Sequence, residues 1–372
     1  MNMTESKPST QKDQEVKTFK HLMEDVIEAQ DCCSCGACVA YCESQSFDVI
    51  EMEGYTPRFK SDKNAENCTE CGLCYYICPQ TKPIIDQIET THHIEDEVGN
   101  VLDVIAAKTS DKAIAEVGQD GGVVTTILSH LFETNKIDAA IVSEYDKDFE
   151  PIPKIIFNKE ELLKSAGTRY SISSQILPLK DLYNIPEKTL QEKGIYDIEA
   201  MRVAFVGTPC QVRALSKMKF LNIKPAHVIK YIISLFCFEN FNSDKLYQII
   251  KKKTKVNQSA IKKTWIKKNF FLKDEKDKEY EIDIKKLDPA VRSHCHKCDE
   301  FTGKFSDISV GASGAPAGHS MIIIRTPTGQ EVINSLISHN LIEQYIIPAD
   351  QSADWKDKKV NWFKKMISFK TK

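Results

Sequence analysis

The chain has 372 residues, 41% of them hydrophobic and 28% charged, and its formal net charge is -3. This length suffices for two or three domains, and so small a net charge gives no reason to expect a nucleic-acid partner. No run approaches the roughly 18 uninterrupted apolar residues of a membrane-spanning helix, and the polar start lacks the apolar segment of an export signal. We therefore expect a cytoplasmic protein that begins with a mobile tail over residues 1–24.

A predicted module over residues 25–90 contains two cysteine runs with the spacing C-x2-C-x2-C-x3-C. This is the bacterial ferredoxin pattern, in which three thiolates of one run hold a 4Fe-4S cube and the fourth reaches across to the other cube. The runs consist of Cys32, Cys35, Cys38 and Cys42, and of Cys68, Cys71, Cys74 and Cys78. The pattern therefore predicts one cluster on Cys32, Cys35, Cys38 and Cys78, and a second on Cys68, Cys71, Cys74 and Cys42.

Two alternatives remain for this module. A pair of zinc knuckles would usually place two C-x-x-C pairs around a longer loop, which is not the spacing found. Cys33 is surplus, and is either a buried small residue or a ligand in place of Cys32.

We expect a short strand after each run, at "SFDVIEM" and "PIIDQI", and a polar linker at "ETTHHIEDEVGN".

After residue 90 the hydrophobic pattern alternates between strands and helices. Helices are predicted at "VVTTILSHLFET", "TPCQVRALSKM", with Thr208 as N-cap, "NSDKLYQIIKKK" and "EVINSLISHNLIEQY". Strands are predicted at "VLDVIAAK", "IDAAIVSEY", "MRVAFVG", "HVIKYIISLFC", "DISVG" and "SMIIIRT". The pattern predicts an α/β fold, in which a small ferredoxin-like double-cluster module precedes a larger α/β domain over residues 91–345.

The stretch "VGQDGG" lies between a predicted strand and a predicted helix. Free N–H groups and the positive end of the helix dipole favour a phosphate or an electron-rich cofactor edge at such a helix start. A tight turn without any ligand is an equally good interpretation.

Four further cysteines, Cys210, Cys237, Cys295 and Cys298, lie in the large domain. Cys210 and Cys237 follow predicted buried strands, and the carboxyl ends of strands in an open α/β sheet meet at the edge where ligands bind. Together with the C-x-x-C pair they can hold a third 4Fe-4S cluster. The alternatives are a buried apolar Cys237, a low-pKa thiol at Cys210, and a zinc site of the C-x-x-C pair with His294 and His296.

Six motifs of the chain, in their order, are those of a known family. They are "GQDGGVVTTIL", "GTRYS", "VGTPCQVRAL", "SLFCFEN", "CHKCDEFTGKFSDISVG" and "GHSMIIIRTPTGQEV". Together they resemble the family of coenzyme F420 hydrogenase/dehydrogenase beta subunits. The resemblance covers nearly all of residues 25–335, and implies FAD, a 5-deazaflavin substrate and a 4Fe-4S cluster on Cys210, Cys237, Cys295 and Cys298. It also implies FAD-binding residues at Gly118, Gln119, Asp120, Gly121, Gly122, Thr168, Arg169, Tyr170, Ser171, Thr208, Gly311, Gly314, Gly318 and Arg325.

The resemblance implies hydride transfer between coenzyme F420 and FAD, and then single electrons through three clusters to a partner, either a redox subunit or ferredoxin. A flavin is needed there because it takes two electrons as hydride and releases them one at a time. No side-chain acid or base is required, so no catalytic residue is named. The alternatives are a reductase that uses NAD(P)H or ferredoxin with another substrate, and a pure electron-carrier subunit.

Cations suited to the phosphate and glutamate tail of the deazaflavin are Lys164, Arg169, Arg213, Arg325 and the lysine-rich run over residues 251–268. The module resembles the electron-input subunit of F420H2 dehydrogenases, so peripheral association with the inner face of a membrane complex is expected as well. Residues 346–372 form a basic aromatic tail, which either docks on a partner or membrane surface or packs on its own domain.

Overall fold

The computed structural model describes residues 16–370, and their architecture is the predicted α/β fold. The N-terminal part comprises α1 (Phe19–Leu22), a π-helical turn (Met23–Glu28), α2 (Ala37–Ser44), β1 (Ile50–Glu53), β2 (Thr56–Phe59), α3 (Asp62–Glu66), α4 (Leu73–Tyr76) and α5 (Ile85–Thr91). Strands β1 and β2 form an antiparallel hairpin. Helix α2 and hairpin strand β1 pack together, and the two cysteine runs lie around them.

Two boundaries of this part differ from the sequence-based expectation. Residues 1–15 of the predicted tail lie outside the described residues. Residues 16–24 belong to the module instead, because Phe19 and Leu22 are each 2% exposed and pack in its core. The strand predicted at "PIIDQI" is wrong, since this segment opens α5. There Ile88 is fully buried four residues after Ile84, which is helical spacing.

The large domain is built on one eight-stranded sheet in the order β13-β3-β12-β11-β7-β6-β4-β5. Its strands are β3 (Asp103–Thr109), β4 (Ala139–Tyr145), β5 (Pro151–Ile156), β6 (Val203–Gly207), β7 (Ile229–Leu235), β11 (Ile308–Gly311), β12 (Ser320–Ile324) and β13 (Ile342–Gln344). The central strands β4, β6, β7 and β11 are parallel, and the flanking strands are antiparallel. The carboxyl ends of the parallel strands, the start of β12 and the end of β3 therefore share one edge.

Helices cover both faces of the sheet. The helices of the large domain are α6 (Lys112–Val117), α7 (Val123–Glu133), α8 (Lys159–Lys164), α9 (Glu187–Glu192), α10 (Pro209–Phe220), α11 (Ser243–Thr254), α12 (Pro327–Ser338), α13 (Ala349–Ser352) and α14 (Trp355–Lys370). Alternate residues of each central strand face opposite layers, as strand geometry requires. Helices α7 and α12 pack on one face, whereas α10, α14 and the cysteine module pack on the other.

A smaller antiparallel sheet of β8 (Ile261–Ile266), β9 (Phe270–Asp274) and β10 (Glu279–Ile282) lies beside α11 and shares a hydrophobic core with it. The helix predicted through "EVINSLISHNLIEQY" ends earlier than expected, at Ser338, and its last residues form β13. Within residues 16–370 no helix combines the length and the apolar composition needed to cross a bilayer.

The C-terminal segment is a helix that packs on its own domain. Trp355, Phe363 and Ile367 of α14 are buried against β3 and β12, and the Trp355 indole N–H donates to the Val104 carbonyl at 3.0 Å. Trp362 on the same helix is 39% exposed. The structure thus favours self-packing over the docking alternative for most of this segment.

Candidate functional site

The two cysteine runs fold in the same way. In each, a glycine follows the second cysteine and takes a left-handed conformation, Gly36 with φ +83° and Gly72 with φ +74°. A helix begins directly after each glycine. This conformation carries no steric penalty for glycine, unlike other residues. The repeated Cys-Gly-x-Cys step therefore turns the backbone in both runs and places the third cysteine at a helix start.

Two cavities lie within the module. The first is lined by Cys32, Cys33, Cys35, Cys38 and Cys78. The second is lined by Cys42, Cys68, Cys71 and Cys74. The fourth cysteine of each run therefore lines the cavity of the other run, which is the crossed arrangement of the double-cluster ferredoxin pattern.

The walls of both cavities are largely apolar, and this affects the thiols. Burial is the main cause that raises the pKa of Cys74 and of Cys78 to about 12. Such thiols are protonated at neutral pH unless a metal takes the thiolate, so cluster binding must release their protons. The donor sets and dry surroundings suit a 4Fe-4S cube in each cavity.

The surplus cysteine lies between two groups of sulfurs. Cys33 is 4% exposed, lines the first cavity and contacts the thiol of Cys210 in the large domain. This contact is the largest cause that raises the pKa of Cys210, followed by burial. Cys33 is buried, as one of its two interpretations requires, and it joins the first cavity to the third cysteine group.

The four remaining cysteines come together at the carboxyl edge of the sheet. Cys210 is the second residue of α10, directly after β6, and Cys237 follows β7, while Cys295 and Cys298 lie in and after the short 3-10 helix Ser293–Lys297. Cys237 is electrostatically coupled to the other three, and burial is the main cause that raises its pKa. Burial likewise raises the pKa of Cys295 to about 11.

Two histidines and one lysine lie next to the third cysteine group in sequence or in space. His294 is buried and contacts Cys210, whereas His296 is exposed. In the described part of the chain no three His, Cys, Asp or Glu side chains are grouped tightly enough to hold a single metal ion. A cube of four irons is larger and takes ligands that lie further apart. The Lys370 ammonium reaches this group from α14, at 3.5 Å from Cys298 Sγ.

The glycine-rich turn lies at the same edge. Gly121 N–H donates to Ser320 Oγ at 3.2 Å, and a Cβ on Gly121 would collide with the Ala107 carbonyl and the Ser320 amide. Gln119 Nε2 lies 3.5 Å from the Tyr170 hydroxyl. The turn before α7 is therefore in contact with "GTRYS", as the FAD prediction requires.

Several buried polar atoms around this contact have no partner within residues 16–370. They are Gln119 Oε1, Arg169 Nε, Ser171 Oγ and Asn240 Oδ1. Buried polar groups are normally hydrogen-bonded, so a group of such atoms at one sheet edge is a sign of a missing ligand. This observation suits a polar cofactor at the turn.

Charge near the turn comes from two segments. The Arg169 guanidinium stacks over Tyr145 at 4.7 Å, and Lys263, from the lysine-rich run, donates to the Gly118 carbonyl at 3.1 Å. Burial raises the pKa of Asp120, while Lys267 and Lys263 act in the opposite direction. At least one lysine of that run thus contacts the predicted cofactor site.

Asn240 connects this turn to the third cysteine group. Its Nδ2 donates to the Ser171 carbonyl at 3.4 Å, and its own carbonyl lies 3.8 Å from Cys295 Sγ. Asn240 was not predicted as a site residue, although it follows Cys237 by three residues in "SLFCFEN". Thr208, predicted to contact the cofactor, lies among the cysteines, with its hydroxyl 3.3 Å from Cys210 Sγ.

Two predicted cations are already engaged. Arg325 is 3% exposed and donates to the carbonyls of Val98 and Asn100 and to the hydroxyls of Thr302 and Ser309. Arg213 forms ion pairs with Asp299 and Glu300, each at 2.8 Å. Arg325 thus holds the linker to the sheet and Arg213 is engaged by two carboxylates, and the cofactor role given to Arg325 stays a prediction.

The three predicted glycines at the end of β11 and in the segment after it have different surroundings. A Cβ on Gly311 would collide with the Phe236 ring, and one on Gly314 would lie 3.0 Å from the Trp362 ring of α14. Gly318 has open space around it and lies two residues before Ser320. Of the three, Gly318 is next to the glycine-rich turn, whereas Gly314 is covered by the C-terminal helix.

The fold and the site define a class of α/β protein with a ferredoxin-like cysteine module and a further cysteine group at the ligand-binding edge of its sheet. Two family models match the chain. The N-terminal part of the coenzyme F420 hydrogenase/dehydrogenase beta subunit matches residues 104–180, and its C-terminal part matches residues 200–348. The chain belongs to this family of oxidoreductases, and the family prediction is confirmed.

The chain is similar to an F(420)H(2) dehydrogenase subunit of Methanosarcina mazei, at 32% identity over 82% of each chain. It is 29% identical to the coenzyme F420-dependent sulfite reductase of Methanocaldococcus jannaschii, over 86% of this chain but only 48% of that relative, so it spans about half its length. Among solved structures, a chain of the F420-reducing [NiFe] hydrogenase complex from Methanosarcina barkeri matches with a TM-score of 0.63 and 27% identity, covering 75% of this chain and 91% of that one.

Proposed function

We propose that the chain is the deazaflavin-linked input subunit of a redox complex. In this proposal it holds FAD at the glycine-rich turn and 4Fe-4S clusters at the three cysteine groups, and reacts with coenzyme F420. The observation that carries the proposal is the position of Asn240, which contacts both Ser171 of the flavin motif and Cys295 of the third cysteine group. A flavin bound there would exchange hydride with the deazaflavin and single electrons with the neighbouring cluster.

The chain's own residues have three tasks in this function. Gly121, Gln119 and Ser171 provide the close backbone approach and the free polar atoms that would orient the flavin. Arg169 and Lys263 supply positive charge for a phosphate group of either coenzyme. The apolar packing around the cysteine groups limits the access of water to the clusters, which together with hydrogen bonds to sulfur sets their potentials.

The contacts between groups support one order of electron flow. The third group adjoins the flavin motif through Asn240 and the first cavity through Cys33 and Cys210. The first and second cavities share α2, which carries Cys38 and Cys42. The proposed order is therefore FAD, third cluster, first cluster and second cluster.

The partner would meet the chain at the second cluster. Cys71, which lines that cavity, is the exposed cysteine among the thirteen. We propose that a redox subunit or ferredoxin docks at the loop Cys68–Cys71, and that the assembled complex is associated with a membrane at its periphery. Electron flow in the opposite direction would pass the same sites in the reverse order.

Anaerobically purified protein tests this function. We expect a brown preparation that releases flavin on denaturation and reduces an artificial one-electron acceptor with reduced coenzyme F420 but not with NADPH. Activity with NADPH alone would overturn the substrate assignment. A brown preparation without flavin would instead identify a pure electron carrier.

A further inference from the structure

The C-terminal helix inserts a buried ammonium group into the third cysteine group. Lys370 is the last residue of α14 and is 7% exposed. Its Nζ donates to the carbonyls of Cys237, at 2.9 Å, and Glu300, and lies 3.5 Å from Cys298 Sγ. A lysine is almost never buried in this way unless a partner compensates the loss of hydration.

The compensation here comes from the cysteine group itself. Within residues 16–370 the hydrogen-bond acceptors of Lys370 Nζ are two carbonyl oxygens and one sulfur. The carboxylate of Glu300, whose carbonyl accepts from Lys370, is taken up by Arg213 at 2.8 Å. The Glu239 carboxylate lies within electrostatic range of Lys370 but forms no ion pair with it among the described residues. The close contacts of the positive charge are therefore the two carbonyls and the Cys298 sulfur.

The helix holds this charge in place. Phe363 is fully buried and packs edge-on against Phe236, with ring centroids 5.3 Å apart, and Phe236 directly precedes Cys237. Lys359 donates to the Gly314 carbonyl at 2.6 Å. Because α14 is fixed along its length, the ammonium at its end is a preorganised group and not a mobile surface charge.

Among the described residues, one further lysine is buried and serves as a contrast. Lys217 of α10 donates to the carbonyls of Cys78 and Thr81, both at 2.6 Å, and forms no bond to a sulfur atom among the described residues. Its contacts fasten the cysteine module to the large domain. Of these two lysines, it is Lys370 that donates to a sulfur of a predicted cluster ligand.

We propose that Lys370 is a positioning residue that raises the reduction potential of the third cluster, an inference that rests on the proposed function. Reduction adds one negative charge to the cube, and a fixed cation hydrogen-bonded to a ligand sulfur stabilises the reduced form more than the oxidised one. The third cluster thereby becomes the better acceptor for electrons that leave the flavin site. The family match ends at residue 348, so this device belongs to the segment beyond the matched region.

The test is a redox titration of the anaerobic full-length chain, followed by electron paramagnetic resonance and iron analysis. Lys370→Gln should shift the ratio of reduced to oxidised third cluster by about tenfold at a fixed applied potential, or about 59 mV for one electron. The potentials of the other two clusters and the iron content should not change. Lys370→Arg should retain most of the wild-type potential, and Lys365→Gln, on the exposed side of α14, should have no effect.

The outcomes separate this inference from the proposed function. A wild-type chain with only two clusters would refute the third cluster itself. Three clusters with an unchanged third potential in Lys370→Gln would overturn the role of Lys370. If Lys370→Gln loses the third cluster, retention in Lys370→Arg supports a need for the charge, whereas loss in both variants means that Lys370 only fills space.

Discussion

The Arg292 guanidinium donates to the Cys33 carbonyl at 2.9 Å, across a sequence separation of 259 residues. The same guanidinium donates to the Cys32 carbonyl at 2.8 Å and to Ser34 Oγ at 2.9 Å. Three residues further along the chain, Cys295 belongs to the third cysteine group, and its N–H donates to the Arg292 carbonyl. Arg292 thus ties the loop of the first cavity to the loop of the third group.

Replacing this arginine should loosen both loops. Arg292→Gln removes hydrogen bonds from a charged donor, each of which contributes about 1.5–3 kcal/mol. We expect a chelator to remove iron from the first and third clusters several times faster than in the wild type, with the second cluster unaffected. The measurement is the loss of visible absorbance after chelator addition, resolved by electron paramagnetic resonance.

Arg58→Gln is the matched control for this experiment. Arg58 pairs with Glu51 and Glu53 on the β1–β2 hairpin and its side chain is 45% exposed. Exposed ion pairs contribute at most about 1 kcal/mol, so its iron loss should equal that of the wild type. Equal acceleration in both variants, or a faster loss from the second cluster, would contradict the role of Arg292.

Alanine substitutions can assign cysteines to clusters. We expect the fully loaded chain to contain about twelve iron atoms, and Cys298→Ala and Cys74→Ala each to lose about four of them. Cys33→Ala should keep them all, because we place Cys33 between clusters and not among the ligands. Iron and acid-labile sulfide analysis decides this. Full iron in Cys32→Ala together with a loss in Cys33→Ala would show that Cys33 replaces Cys32.

The flavin site can be tested at Gly121. A Cβ at this position would collide with the backbone of β3 and β12, so Gly121→Ala must displace the glycine-rich turn. We expect the purified variant to lose most of its flavin, by at least about tenfold, while it keeps its iron. Flavin fluorescence after denaturation gives the content directly.

Gly194→Ala controls for the loss of a glycine as such. Gly194 also lies in a turn, with φ +67°, and nothing lies within 4 Å of its would-be Cβ. The strain of a left-handed alanine costs about 1 kcal/mol, and the flavin content should be that of the wild type. Full flavin in Gly121→Ala would mean that FAD does not bind at this turn.

Spacing and periodicity predicted the parts of this molecule that depend on neighbours in sequence. The two cysteine runs, the strand-then-helix pattern around Cys210 and the N-cap at Thr208 are of this kind. Arg292, Lys370 and Asn240 were missed because their partners are distant in sequence, and nothing in the local pattern indicates where a long side chain ends. The local pattern around Arg325 likewise could not show that protein carbonyls and hydroxyls engage its donors. The strand predicted at "PIIDQI" was wrong because so short an apolar run fits the periodicity of a helix as well as that of a strand.

The buried Lys217 should hold the cysteine module on the large domain. Lys217→Met keeps the length of the side chain but leaves the Thr81 carbonyl without its donor, and the Cys78 carbonyl with only the Thr81 N–H and hydroxyl. An orphaned buried acceptor costs about 1–3 kcal/mol. We expect the free energy of unfolding to fall by about 2 kcal/mol or more in urea titrations. Because Cys78 is a predicted ligand of the first cluster, that cluster should also lose iron first.

Lys188→Met provides the comparison on the surface. The Lys188 side chain is 87% exposed and faces Glu192 at 3.9 Å, so its removal should change the free energy of unfolding by less than about 0.5 kcal/mol. If Lys217→Met were as stable as this control and lost iron evenly from all clusters, the hydrogen bonds to Cys78 and Thr81 would not be what fastens the module. The attachment would then depend on the apolar contacts of Ala37, Ala40 and Tyr41 in the core that the module shares with the large domain.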